Sequence, residues 1–304
     1  MEISIVIPVF NAEDSIADTI EGLMDSDFLK SNKWELILVD DFSQDKSFKI
    51  IQEKSTQYAN ILGISLHKNV GQHSATLAGI KEARGKYLIT MDDDGEHPVD
   101  FIPKLIHELK ENSKDIAFAI PTSSNKSFVR KAISSLFKKS AKWFSDGYGN
   151  GSAYRAIKKS IYSRIGNQEM PFVFIDEILA WYTKNVIFIP CTFNKSAKNS
   201  NYGSRRLLSL YINIMYTYSS FPAQFLTRIG ILGSVFSFGI GVYYVIKKIF
   251  FKAQIGFTSI AVSILFSASI ILLGLGIIAQ YIYRQNRLLN KYPQYSIRYR
   301  TDEE

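Results

Sequence analysis

Tyr87-Leu88-Ile89-Thr90-Met91-Asp92-Asp93-Asp94-Gly95-Glu96-His97-Pro98 is an apolar run that stops abruptly in three carboxylates. The run is short, rich in Leu and Ile, and bounded by Gly85 and Pro98, which fits a buried parallel strand. Acids at the carboxyl end of such a strand fall where open α/β sheets bind ligands. Three adjacent anions repel one another, so a cation is expected beside them. Side chains alternate on an extended chain, so Asp92 and Asp94 share one side, Asp93 turns away, and Glu96 continues the first row. Hard oxygen donors suit Mg²⁺ or Mn²⁺, which would bridge a nucleotide's phosphates. The plainer alternative is a solvated acidic turn that caps a helix near Val99.

Strand and helix signals alternate on both sides of this stretch. Upstream, strands are expected at Ile3 to Pro8, at Trp34 to Val39 ending in Asp40-Asp41, and at Ile61 to Leu66. Helices are expected between them, the first capped by Asp14 or Ser15 and the last running from Ser74 to about Arg84. Downstream, a helix over Val99 to Glu111 precedes a strand at Ile116 to Ile120, which argues a mostly parallel α/β sheet with right-handed crossovers. Beyond Pro121 the pattern loosens. A basic amphipathic helix is expected over Phe128 to Phe144. Ser152 to Ile157 should lead into another helix, Phe174 to Thr183 should be helical, and Val186 to Cys191 a strand.

The remaining third of the 304 residues is different in kind. Ile229 to Ile246 and Ala253 to Tyr283 carry no charge, and about 20 apolar residues span a bilayer. They predict a two-helix transmembrane hairpin over 227–284, preceded by a juxtamembrane interfacial helix over 201–226 and followed by a basic tail over 285–304. Arg228 before the hairpin, and Arg284, Arg287, Lys291, Arg298 and Arg300 after it, put both flanks in the cytosol, although Lys247, Lys248 and Lys252 in the connection oppose that rule. Neither span is N-terminal, so neither reads as a signal peptide. The expected location is the inner (cytoplasmic) membrane, multi-pass, with residues 1–200 as a cytosolic catalytic domain. The net charge of +8 crowds near the spans, which suits an anionic membrane surface or phosphate ligands and not nucleic acid. One cysteine, Cys191, excludes an internal disulfide.

Several spacings together resemble glycosyltransferase family 2, with its GT-A (nucleotide-diphospho-sugar transferase) fold, and within it the polyprenyl-phosphate glycosyltransferases, the group of dolichol-phosphate mannose synthase and the bactoprenol glucosyltransferases. The matching pieces run in order along nearly the whole chain. They are Ile5 to Asn11, Leu38 to Asp45, Asn69 to Gln72, Met91 to Pro98, Ser200 to Arg206, and Ile278 to Arg284. The resemblance implies that Pro8, Phe10, Asn11, Glu13, Asp40 and Asp41, with Gln72, Asp92 and Asp93, bind the nucleotide sugar, Asp40 accepting from the base edge. It implies that Asp92 and Asp94 hold Mg²⁺ or Mn²⁺, with Glu96 where the family often has Gln. Tyr202, Arg205 and Arg206 match the region that receives the lipid phosphate, a task suited to the bidentate fork of Arg. Two positions depart from the pattern: Gln72 replaces a frequent Lys, and Ala153 stands two residues before Arg155, where the family often has Asp.

The implied reaction is inverting transfer of a sugar from a nucleotide-sugar donor, UDP-linked by family-level expectation, to a polyprenyl phosphate such as undecaprenyl phosphate. Asp94, Arg155 and Asp176 are the candidate catalytic residues. A hydroxyl acceptor needs a base to take its proton. A phosphate monoester, with a second pKa of about 6, is already ionised at neutral pH, so Ala153 is tolerable for a lipid phosphate. For a hydroxyl acceptor Asp176 would have to serve as base; otherwise it caps its helix or hydrogen-bonds the sugar or a loop. Two other readings stay open: a membrane-bound enzyme extending a glycan or glycolipid hydroxyl, and a non-catalytic membrane scaffold with a nucleotide-binding fold. The expected partners are the nucleotide sugar, the polyprenyl lipid, the membrane and a second copy of the chain.

Overall fold

The computed structural model describes residues 1–122, 148, 151–165, 174–194 and 293–303, with scattered positions between 228 and 285. Among these residues one sheet of eight strands organises the chain. In chain order its strands are β1 (Ile3–Val9), β2 (Trp34–Asp40), β3 (Ile61–Leu66), β4 (Tyr87–Thr90), β5 (Ile116–Pro121), β6 (Arg155–Lys158), β7 (Val186–Cys191) and β8 (Ile297–Arg300). In space they run β7-β5-β6-β4-β1-β2-β3-β8. β4, β1, β2 and β3 are mutually parallel, β6 is antiparallel to both β4 and β5, and β8 is antiparallel to β3.

The two-residue period of β1 builds two cores. Ile3, Ile5, Ile7 and Val9 enter one face of the sheet, and Val6 enters the other. The first face is covered by α1 (Ile16–Asp25), the short α2 (Asp27–Lys30), α3 (Ser47–Gln57) and α5 (Ile102–Lys110). In α5, Ile102, Leu105, Ile106 and Leu109 are buried, a stripe at helical spacing. The second face is covered by α4 (Gln72–Glu82), α6 (Lys159–Ile165) and α7 (Ile175–Tyr182). Gly79 lets α4 lie flat on the sheet: a Cβ there would sit 2.5 Å from Val6 Cγ1.

Two strands differ from the sequence reading. Ser152 to Ile157 does not simply lead into a helix: Arg155–Lys158 is β6, hydrogen-bonded between β4 and β5, with Ala156 buried in one core and Ile157 in the other. The basic tail also carries structure. β8 covers the edge of β3, an edge that would otherwise present unpaired backbone groups. The helix expected from Ser74 begins at Gln72, because Gly71, at φ 90°, turns the chain and Asp41 takes the N–H groups of Val70 and Gly71.

Of the expected membrane hairpin, the described positions between 228 and 285 are helical except Gly256. No described helix is long and apolar enough to cross a membrane. The side chains described there are nonetheless apolar and open: Leu232 is 69%, Phe250 74%, Ile264 62% and Ile271 61% exposed. The expected helices at 128–144 and 201–226 lie outside the described residues, Arg228 aside.

Candidate active site

The carboxyl ends of β1, β2 and β4 lie side by side, and the loops leaving them are laced together. Ala12 N donates to Ser47 Oγ at 2.8 Å, and Asn11 N to Ser43 Oγ at 3.0 Å. In return Gln44 N donates to Asn11 Oδ1 at 2.9 Å and Lys46 N to Glu13 Oε2 at 3.0 Å. Asn11 and Phe42 take positive φ, 47° and 64°, where the two loops turn against each other. Asn11 and Glu13, expected at the nucleotide, here hold the β1 and β2 loops together, and Phe10 is left 44% exposed.

Asp40 and Asp41 are each only 2% exposed. Asp40 accepts from Ser43 N at 3.2 Å and Ser65 Oγ at 3.1 Å. Asp41 accepts from Val70 N and Gly71 N, both at 2.8 Å. Burial raises the pKa of both, and these hydrogen bonds partly offset it. Asp40 thus ties the β2 end to its own loop and to β3, and Asp41 ties it to the chain entering α4, whose first residue, Gln72, donates to Asp92 Oδ1.

In the acidic stretch after β4, Asp93 and Asp92 turn to different neighbours. Asp93 turns to the β1 loop, where its Oδ2 accepts from Phe10 N at 3.0 Å and its carbonyl from Ser15 Oγ at 2.7 Å. Ser15 is thereby engaged elsewhere and makes no side-chain cap on α1. Asp92 lines a cavity of about 150 Å³ with Pro8, Gln72, Ala153, Arg155 and Asp176. Burial, reinforced by the Asp94 and Asp93 charges, pushes Asp92 up to about 7. Gly95 follows at φ 72°, and the Glu96 N–H donates to Asp94 Oδ1 at 3.0 Å, with the Glu96 charge among those that raise Asp92. Among the described residues no three His, Cys, Asp or Glu side chains converge as a metal cage. A pair of carboxylates is nonetheless the donor set a Mg²⁺-type ion uses when substrate phosphates complete its shell, and the mutual repulsion that raises Asp92 is what such an ion would relieve.

Two histidines stand nearby, His73 lining the cavity and His97 packed behind Asp92. His97 is buried, its Nδ1 accepts from Asp92 N at 2.9 Å, and its ring stacks on Tyr154 at 4.8 Å. Burial lowers His97 to about 4 and His73 to about 3, so both are neutral at physiological pH.

Arg155, at the start of β6, is buried behind the cavity. Its Nε donates to Thr90 Oγ1 at 3.0 Å and its Nη1 to Asp176 Oδ1 at the N-terminus of α7. The fold thus joins two residues that the sequence reading placed in the site separately. Thr90 and Gly151, which complete this cluster, were missed: a Thr at a strand end and a lone Gly carry no signal of their own. Tyr202, Arg205 and Arg206, expected at the acceptor phosphate, lie outside the described residues.

Comparison with known proteins agrees with this architecture. Residues 4–170 match the family described as Glycosyl transferase family 2. The chain is 27% identical over 309 residues, 98% of its length and 99% of the other's, to a prophage bactoprenol glucosyl transferase homolog of Escherichia coli (strain K12). It is 27% identical over 307 residues, 97% of its length and 91% of the other's, to an undecaprenyl-phosphate 4-deoxy-4-formamido-L-arabinose transferase of Shewanella sediminis (strain HAW-EB3). Among solved structures, glucosyl-3-phosphoglycerate synthase from Mycobacterium tuberculosis in complex with Mn²⁺, UDP-glucose and phosphoglyceric acid superposes with a TM-score of 0.51. That likeness is at 17% identity and covers 71% of this chain and 77% of that one, which bears on the fold alone.

Proposed function

The chain belongs to glycosyl transferase family 2, and on that premise we propose that it transfers a sugar, with inversion, from a nucleoside diphosphate donor to a polyprenyl phosphate at the cytosolic face of the inner membrane. That it is a glycosyltransferase follows from the family, which sets aside the scaffold reading. The acceptor is proposed from the relatives, which match over nearly their full length and are named for bactoprenol and undecaprenyl phosphate.

One observation in this chain favours a phosphate over a hydroxyl acceptor: Asp176, the carboxylate that a hydroxyl would need as base, is clasped by Arg155, and Ala153 offers none. A phosphate monoester brings its own charge and needs no proton removed. The β1 and β2 loops are proposed to hold the base and ribose through Phe10, Asn11, Glu13, Asp40 and Asp41. Asp92 and Asp94 would hold Mg²⁺ or Mn²⁺, which when bound would offset charge developing on the leaving diphosphate. Tyr202, Arg205 and Arg206 are proposed to receive the acceptor phosphate. The uncharged stretches 229–246 and 253–283 are proposed as membrane spans through which copies of the chain also associate, a reading supported by the apolar side chains exposed within them.

The test is a membrane assay. Labelled nucleotide sugar should pass into an acid-labile, chloroform-soluble lipid when polyprenyl phosphate is supplied. Equal transfer to dephosphorylated polyprenol would overturn the acceptor.

A further inference from the structure

The cavity beside Asp92 has a floor of small residues, Gly151, Ser152 and Ala153, and one charged wall, the Arg155–Asp176 pair. Its volume of about 150 Å³ is a fraction of the roughly 300–1,000 Å³ of pockets that take drug-sized ligands, so it suits one small ring and no more. Gly151 is a close approach and not a turn: a Cβ there would collide with the Asp176 carboxylate, so a larger residue displaces Asp176. The charged wall is also fixed from behind. Thr90 Oγ1 donates to Ala153 O at 2.6 Å and accepts from Arg155 Nε at 3.0 Å, which aims the guanidinium at Asp176.

The charges lining the cavity are the carboxylates of Asp92 and Asp176 against the guanidinium of Arg155. A bound metal would answer the donor's phosphates and Asp92, which leaves Arg155 and Asp176 answering each other. A carboxylate on the sugar would then meet Asp176 with no cation in surplus, whereas a ring hydroxyl can donate to Asp176 and accept from Arg155. Resting on the transfer reading above, we propose that this cavity is the donor-sugar pocket, that it takes uncharged monosaccharides and rejects uronates, and that Asp176 is a positioning residue within it and not a general base.

The experiment uses the full chain in detergent with Mn²⁺. UDP, UDP-glucose, UDP-galactose and UDP-glucuronate compete for binding, and the sugar donors are also assayed for transfer to polyprenyl phosphate. At least one uncharged donor is expected to bind about 10-fold or more tightly than UDP-glucuronate. Asp176→Asn and Gly151→Ala should leave UDP binding unchanged, which reports an intact fold. Both should raise the KM for the sugar donor by about 10-fold or more, with the pH profile of kcat unmoved. UDP-glucuronate binding as well as every uncharged donor overturns the proposal. So does an Asp176→Asn enzyme with unchanged KM whose kcat falls and loses its acid limb, since that is the signature of a base. Transfer by the unaltered enzyme to dephosphorylated polyprenol would strike the acceptor reading alone and leave this binding comparison standing.

Discussion

Phe10 donates its backbone N–H to Asp93 Oδ2 at 3.0 Å, joining the β1 loop to the acidic turn after β4 across 83 residues of chain. This contact gives the middle carboxylate a different task from its neighbours. Asp93→Ala should let the Phe10 loop drift and raise the donor KM about three- to tenfold, with kcat kept, because an exposed hydrogen bond to a carboxylate is worth about 1 kcal/mol. Asp94→Ala should instead lower kcat on the order of 10²–10³-fold, the cost of removing one preorganised electrostatic contact. Steady-state kinetics on the two variants separates the roles. A normal kcat in Asp94→Ala would remove Asp94 from the chemistry.

If Asp92 holds the ion as proposed, metal use should depend on pH. Its pKa is pushed to about 7 by burial and by Asp94 and Asp93, so below that pH a proton occupies the site that a cation needs. The Mn²⁺ or Mg²⁺ concentration giving half-maximal transfer should rise up to about tenfold per pH unit below 7 and level off above it. Chelation should abolish transfer and either ion restore it. The same shift has a sign for stability without metal. A carboxylate whose folded pKa is raised contributes stability that is fully present below its unfolded value of 3.8 and lost as pH rises through about 7. Asp92→Asn should therefore raise the melting temperature of chelator-treated protein at pH 8 and not at pH 4. A flat metal requirement between pH 6 and 8 would contradict the assignment.

The parts of this fold that were legible in the sequence are those whose partners lie close in the chain or whose burial is symmetric. β1 to β5 are apolar runs largely buried on both faces, and β7 is an apolar run at the sheet edge, so composition alone marks them. β6 was hidden because Arg155 and Lys158 bracket only Ala156 and Ile157, and the burial of Arg155 depends on Asp176, 21 residues further on. β8 was hidden for another reason: Arg298 and Tyr299 face outward from a sheet edge, so Ile297-Arg298-Tyr299-Arg300 shows no apolar stripe. Strand-end position marked Asp40 and Asp41 at the end of β2 and Asp92 just past β4. It could not show that Asp40 and Asp41 are turned onto neighbouring groups, Ser43 and Ser65 for one and Val70 and Gly71 for the other.

Asp41 offers a test of that loop architecture. Its two oxygens take the N–H groups of Val70 and Gly71, just before Gln72 reaches Asp92. Asp41→Ala strands two donors, which costs about 2 kcal/mol after allowing for relief of a desolvated carboxylate. That corresponds to a fall in melting temperature of about 4–8 °C for a domain of this size. Asp41→Asn, which keeps one acceptor, should lose about half as much. Thermal unfolding and donor KM should move together, because releasing the α4 N-terminus also frees Gln72.

The C-terminal strand makes a final prediction. Thr301 clasps Gly63 twice, Gly63 N donating to Thr301 Oγ1 at 2.9 Å and Thr301 N to Gly63 O at 3.0 Å. A Cβ on Gly63 would lie 2.5 Å from Ile51 Cγ2 and 2.9 Å from Thr301 Cγ2, pressed between α3 and the returning tail. Arg300 adds ion pairs to Glu82 at 3.2 Å and Asp302 at 3.0 Å. Such surface pairs are worth only about 0–1 kcal/mol, so Arg300→Ala alone should be nearly silent. Gly63→Ala must move either Ile51 or Thr301, at a cost of about 1–3 kcal/mol. Thr301 sits on a strand held from one side only, so the tail gives way first. Limited trypsin digestion should then cut at Arg298 several-fold faster in Gly63→Ala than in the parent, with the rest of the domain still protected. Faster digestion throughout the domain would place the strain on Ile51 instead, and unchanged cleavage at Arg298 would mean that β8 does not hold the β3 edge in solution.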